Sequence, residues 1–168
     1  MEKLDNVMTV DPGWNTGIAY WTGDNDPVTY VIKEPPRRKK IKIEPARLKF
    51  MYTSFRKIIE TLPTVPDICI IEGVEMWTGN VRSLTAAQRG NLFALAYLVG
   101  GYINICHMFC MTVKLVYPRG NKAKGQIMWK GQLTPEMVAK RIYRINKTKY
   151  PEHIREAVGI GFSVMGVL

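Results

Sequence analysis

Cysteine is scarce in this chain, with three residues in 168, and the odd count excludes a self-contained disulfide framework. A reducing compartment is expected. Cys69 lies inside the apolar run Ile68-Cys69-Ile70-Ile71 and reads as a small hydrophobe. Histidine is scarcer still. Cys106-His107-Met108-Phe109-Cys110 offers three zinc donors where a structural site takes four, and the only other histidine is His153, far along the chain. Met1-Glu2-Lys3-Leu4-Asp5 leads into no signal-type core, and no membrane span of roughly 20 consecutive apolar residues is expected, since polar residues such as Asn91 and Asn104 interrupt the uncharged stretch from Gly90 to Val113. A cytoplasmic protein with no membrane partner is expected.

Carboxylates are few: 14 Asp and Glu against 24 Lys and Arg give a net charge of +10. The excess is local. Eight cations and two acids fall between Lys33 and Lys49, and ten cations and one acid between Lys114 and Lys149, which leaves the rest of the chain net acidic. Two basic tracts beside an acidic remainder suit a polyanion cradle that reserves its carboxylates for another task, so nucleic acid is the expected partner class. Lysines that only maintain solubility are the plainer alternative. A hydrophobic share of 46% with 23% charged residues excludes wholesale disorder, and the length suits one domain over residues 1–168 with a real core.

Asn6 to Val10 is a short β-prone run ending at Asp11, before the turn-forcing Pro12-Gly13. Thr16 to Thr22 and Val28 to Lys33 are two more, so the chain should open with an antiparallel meander. Glu34 to Glu44 reads as a basic loop. Pro45 then opens a helix with Leu48, Met51, Tyr52, Phe55, Ile58 and Ile59 at helical spacing, which ends before Pro63. Asp67 to Glu72, apolar between two carboxylates, predicts a central strand covered on both faces. Thr85 to Ile105 carries one charge, Arg89, and predicts a long helix that is either the core helix or a face for a second subunit. Met111 to Tyr117 is a fifth strand, Arg119 to Trp129 a glycine- and lysine-rich loop, Thr134 to Asn146 a capped helix and Glu152 to Leu168 a final helix. The order βββαβαβαα predicts an α/β fold with a central mixed five-stranded sheet flanked by helices.

Asp11 and Glu72 end two of these strands. Placed side by side, the strands bring both carboxylates to the edge at which α/β sheets bind ligands. Glu156 lies on the first turn of the last helix with His153 three residues before it, a spacing that puts imidazole and carboxylate on one face. Such an oxygen-rich set with an imidazole suits Mg²⁺ or Mn²⁺, and two such ions about 3.5–4 Å apart promote phosphodiester hydrolysis. Each residue also has a plain role when taken singly: a turn cap at Asp11, a lysine partner at Glu72, an exposed helix start at His153 and Glu156.

Val10-Asp11-Pro12-Gly13-Trp14-Asn15-Thr16-Gly17 resembles the first-strand motif of the RuvC family of Holliday junction resolvases, which have the RNase H-like fold. Ile70-Ile71-Glu72-Gly73-Val74 resembles its second acidic motif, and Gln88-Arg89-Gly90 the opening of its dimer helix. His153-Ile154-Arg155-Glu156-Ala157-Val158-Gly159-Ile160-Gly161 and Trp129-Lys130-Gly131-Gln132-Leu133 resemble blocks found in bacteriophage-type members. The resemblance implies a homodimeric endodeoxyribonuclease of bacterial or phage-infected cytoplasm that makes paired nicks in a four-way DNA junction. It further implies two Mg²⁺ ions per site, with Mn²⁺ as a substitute, held by Asp11, Glu72, His153 and Glu156. Lys130 would stand beside the scissile phosphate, where an ammonium offsets developing charge. Arg37, Arg38, Lys39, Lys40, Lys122 and Lys124 would hold DNA arms through phosphates.

Two departures stand out. The family carries an aromatic wedge just after the second acid, where this chain has Glu75, leaving Met76 or Trp77 to enter the base stack. It also most often has Asp at the place of Glu156, and the added methylene displaces the carboxylate by roughly 1.5 Å. A branched-DNA-binding protein with weak or lost cleavage is therefore one alternative. An RNase H-like nuclease acting on flaps, forks or structured RNA is another. Asp11 through Gly17 also fits the phosphate-loop pattern of actin-like ATPases and sugar kinases, but those need two lobes and this chain is too short.

Overall fold

A computed structural model describes residues 6–23, 27–34, 45–74, 91–117 and 152–165 of the chain. In order, these form β1 (Asn6–Asp11), β2 (Asn15–Thr22), β3 (Val28–Lys33), α1 (Pro45–Thr61), β4 (Ile68–Glu72), α2 (Asn91–Met108), β5 (Thr112–Val116) and α3 (Glu152–Met165). The five strands make one mixed sheet in the order β3-β2-β1-β4-β5. β1, β2 and β3 are the antiparallel meander, whereas β4 joins β1 in parallel and β5 joins β4 in parallel.

The middle position belongs to β1, which corrects the expectation that the Asp67 to Glu72 strand is central. The apolar run of β4 reports cover on both faces, and an interior strand one place from the middle satisfies that equally well. The helix expected over Thr85 to Ile105 runs on to Met108. Its end was hidden because no glycine or proline marks it. Cys110 takes the left-handed role instead, at φ 58°, while the Met111 amide bonds the Cys106 carbonyl and the Cys110 amide bonds the His107 carbonyl. The loop expected at Arg119 to Trp129, the helix expected at Thr134 to Asn146, and positions 85–90 lie outside the described residues.

Strand alternation divides the core into two layers. Met8 and Val10 of β1, Ile18 and Tyr20 of β2, and Cys69 and Ile71 of β4 pack against Met51, Phe55 and Ile59 of α1 and Leu98, Tyr102 and Cys106 of α2. Burying each such large side chain stabilises the fold by about 1.5–3 kcal/mol. Their neighbours Val7, Ala19, Trp21 and Ile70 face the other way, onto Ile154, Ala157, Val158, Ile160 and Phe162 of α3. That layer is the one that carries the candidate site. Among the described residues, no helix is long and apolar enough to cross a membrane.

Candidate active site at the carboxyl end of the sheet

β1 and β4 run parallel in a register that sets Val10 opposite Ile71. The next residue on each strand is Asp11 and Glu72, so the two carboxylates leave the same end of adjacent strands. By strand alternation both belong to the face that carries Val7 and Ile70, the face covered by α3. The helix arrives there by its amino-terminal turn. His153 Nδ1 lies 2.9 Å from Asp11 Oδ2, across 142 positions of sequence. An ionised carboxylate only accepts, so this contact places the proton on Nδ1 and gives a neutral imidazole its lone pair at Nε2. Asp11 is 13% exposed and His153 38%, so the carboxylate is largely desolvated while the imidazole stands at the rim.

Gly17 makes the approach of α3 possible. It is the register partner of Asp11 on β2, and a Cβ there would stand 2.0 Å from the His153 carbonyl oxygen. One turn further along α3, Thr9 of β1 donates its hydroxyl proton to the Ala157 carbonyl at 2.7 Å. These contacts seat residues 153–157 on β1 and β2. Glu156 is carried into the same layer and is buried, at 7% exposure. A carboxylate so placed is expensive without a partner of opposite charge or strong hydrogen-bond donors.

Of the predicted site residues, Asp11 and His153 are in contact, Glu72 shares their sheet end and face, and Glu156 sits one helical turn beyond His153. Among the described residues, no three His, Cys, Asp or Glu side chains are gathered tightly enough to hold an ion. The donor set fits a hard divalent cation in type, with carboxylate oxygens and one imidazole at one sheet edge. Lys130, Arg37, Arg38, Lys39, Lys40, Met76, Trp77, Lys122 and Lys124 lie outside the described residues.

Three residues near the site escaped the sequence reading. Arg47 on α1 is 5% exposed, ion-paired with Glu34 at the end of β3, and stacked 3.4 Å over the ring of Trp14 in the turn after Asp11. Burial lowers its pKa from the ordinary arginine value. The signal was present: Arg47, Met51, Phe55 and Ile59 form the buried stripe of α1 at intervals of four, with an arginine where an apolar residue belongs. A recess of about 340 Å³ between β3 and α1, lined by Lys33, Phe50 and Lys57 among others, includes none of the four site residues.

No protein-family model matches the sequence, and no curated protein is similar to it at a significant level. Solved structures do resemble it. RuvC of Thermus thermophilus in complex with Holliday junction substrate superposes with a TM-score of 0.60 at 16% identity, covering 96% of each chain. A second Thermus thermophilus RuvC structure gives 0.54 at 14% identity, again over 96% of each chain. The fowlpox virus Holliday junction resolvase gives 0.51 at 14% identity over 96% of this chain and 98% of its own. The mixed five-stranded sheet with its flanking helices is thus the RNase H-like α/β fold that these proteins share.

Proposed function

We propose that this chain is a structure-selective endodeoxyribonuclease that cuts four-way DNA junctions by divalent-metal-dependent hydrolysis. The observation that carries the reading is the contact of Asp11 with His153 at the sheet end shared by Glu72, within a fold held in common with junction resolvases. Asp11, Glu72, His153 and Glu156 would hold Mg²⁺ or Mn²⁺, two ions per site. A bound cation would offset the mutual repulsion of these like-charged carboxylates. When bound, such ions acidify water and offset charge on phosphate oxygens. His153 orients Asp11 through its Nδ1 proton, and Lys130 stabilises the charge that develops as water adds to phosphorus and one P–O bond breaks. The leaving oxygen then takes up a proton.

A junction has approximate two-fold symmetry, and a homodimer would present two sites related by a dyad. Phe93 and Tyr97 on α2 are 63% and 60% exposed, and Gly100, with open space beside it, continues their stripe. We assign this stripe to the second subunit. Met76 or Trp77 would enter the base stack, and Arg37, Arg38, Lys39, Lys40, Lys122 and Lys124 would hold the arms. The motifs about Lys130 and His153 favour a bacteriophage-type member working in bacterial or infected-cell cytoplasm. The test compares labelled four-way junction, fork and linear duplex incubated with the protein, with and without Mg²⁺. Paired nicks in the junction alone, abolished by chelation, are expected. Preferential cutting of forks, or binding without nicks that Glu156→Asp converts to cutting, would replace the proposal with one of the two alternatives.

A further inference from the structure

The turn that follows Asp11 is braced from the opposite layer, and we infer that Tyr102 of α2 is a positioning residue that fixes this turn, and through it Asp11, for the proposed reaction. This rests on the hydrolytic reading of the site. Three partners converge on the Thr16 hydroxyl: the Gly13 carbonyl oxygen at 2.6 Å, the Gly13 amide nitrogen at 3.3 Å and the Tyr102 hydroxyl at 2.9 Å. A hydroxyl has one proton and two lone pairs. The carbonyl can only accept, so it takes the Thr16 proton; the amide can only donate, so it takes one lone pair. The lone pair that remains makes Tyr102 the donor.

Both Thr16 and Tyr102 are fully buried, so water does not compete for these bonds. Burial also pushes the Tyr102 phenol well above its ordinary value, which keeps the proton that Thr16 needs. The ring delivering it has little freedom: it stacks on Phe55 with centroids 4.2 Å apart and meets Tyr52 edge-on at 6.1 Å. Tyr52 in turn bonds the Tyr97 carbonyl of α2 at 2.6 Å, locking α1 to α2 beside it. Asp11 ends β1 immediately before the turn, and Gly17, its register partner, begins one residue after Thr16. Thr16, near the start of β2, therefore ties down the turn between the carboxylate and Gly17, where α3 is seated. Removing the phenolic hydroxyl leaves a lone pair unused in a dry core and loosens a segment whose placement catalysis requires to within a fraction of an ångström.

The test uses the full chain with Tyr102→Phe, Thr16→Val and Thr16→Ser, and with Ile59→Val as a core control of similar melting-temperature loss. Hydrogen exchange of the Gly13 amide, read by NMR, is expected to quicken at least tenfold in Tyr102→Phe and Thr16→Val while staying near wild type in Thr16→Ser and Ile59→Val. Junction cleavage should follow the same split, with kcat down about tenfold and KM within twofold. Unchanged Gly13 exchange in Tyr102→Phe overturns the brace, and quickened exchange with unchanged kcat overturns its positioning role. A wild-type chain that binds junctions without cutting them defeats the hydrolytic reading instead, and Gly13 exchange alone then decides whether Tyr102 holds the turn.

Discussion

At the scale of residues, the close approach of α3 to β2 sets where His153 meets Asp11. An alanine at position 17 would drive its Cβ into the His153 carbonyl, the His153 carbonyl carbon at 2.3 Å and the Ile154 nitrogen at 2.8 Å, all backbone atoms with nowhere to retreat. Gly17→Ala should cost about 3 kcal/mol of stability in urea denaturation, and more than that in cleavage, because His153 leaves Asp11 as the helix lifts. A variant with an unchanged urea midpoint contradicts the packing. Tyr102 gives a second prediction, with its sign set by burial. Its folded-state pKa lies above the unfolded value near 10, so the neutral phenol's contribution is complete below that pH and is lost as pH rises beyond it. The melting temperature should therefore fall more shallowly above pH 10 in Tyr102→Phe than in wild type. Parallel alkaline limbs contradict the assignment.

At the scale of elements, α2 has two unlike faces. Leu98, Tyr102 and Cys106 enter the core, while Phe93 and Tyr97 stand in solvent one helical turn apart. Tyr97→Glu leaves the backbone carbonyl that Tyr52 uses and alters only the exposed side chain. It should convert a sedimenting dimer to a monomer; a wild-type chain that already sediments as a monomer removes α2 as a subunit interface. Most elements were legible from periodicity, because a half-buried helix and a two-sided strand each leave a distinct spacing of apolar residues. α1 shows this through Met51, Phe55 and Ile59, and β4 through Ile68 to Ile71. The end of α2 was not legible, since Cys110 adopts a conformation that usually announces itself as glycine. Strand order was only partly legible, because burial on both faces does not distinguish β1 from β4.

At the scale of the whole molecule, charge and topology act together. The sequence shows only that the strands ending in Asp11 and Glu72 would bring both carboxylates to one edge if they lay side by side; the structure sets them side by side and parallel. The approach of His153 followed from a motif, but its seat did not: Gly17, Thr9 and the Thr16 to Tyr102 brace are contacts between distant segments, and no local pattern records them. Arg47 was missed for a related reason, since a cation in an apolar stripe acquires meaning only beside Trp14 and Glu34. The net charge of +10 predicts steep salt dependence. Six phosphate contacts from Arg37, Arg38, Lys39, Lys40, Lys122 and Lys124 should give a slope of about −5 for log affinity against log salt. Replacing residues 37–40 by glutamine should flatten that slope by about 3.5. A salt-insensitive affinity removes these residues from the interface.

The measurement that bears most directly on the site is calorimetric titration of Mn²⁺ into the full chain, with wild type beside Asp11→Asn and Glu72→Gln. Saturable binding in wild type, weakened at least tenfold by either substitution, is the predicted result. Equal affinity in all three proteins would mean that these carboxylates do not share an ion, and the hydrolytic account would fail.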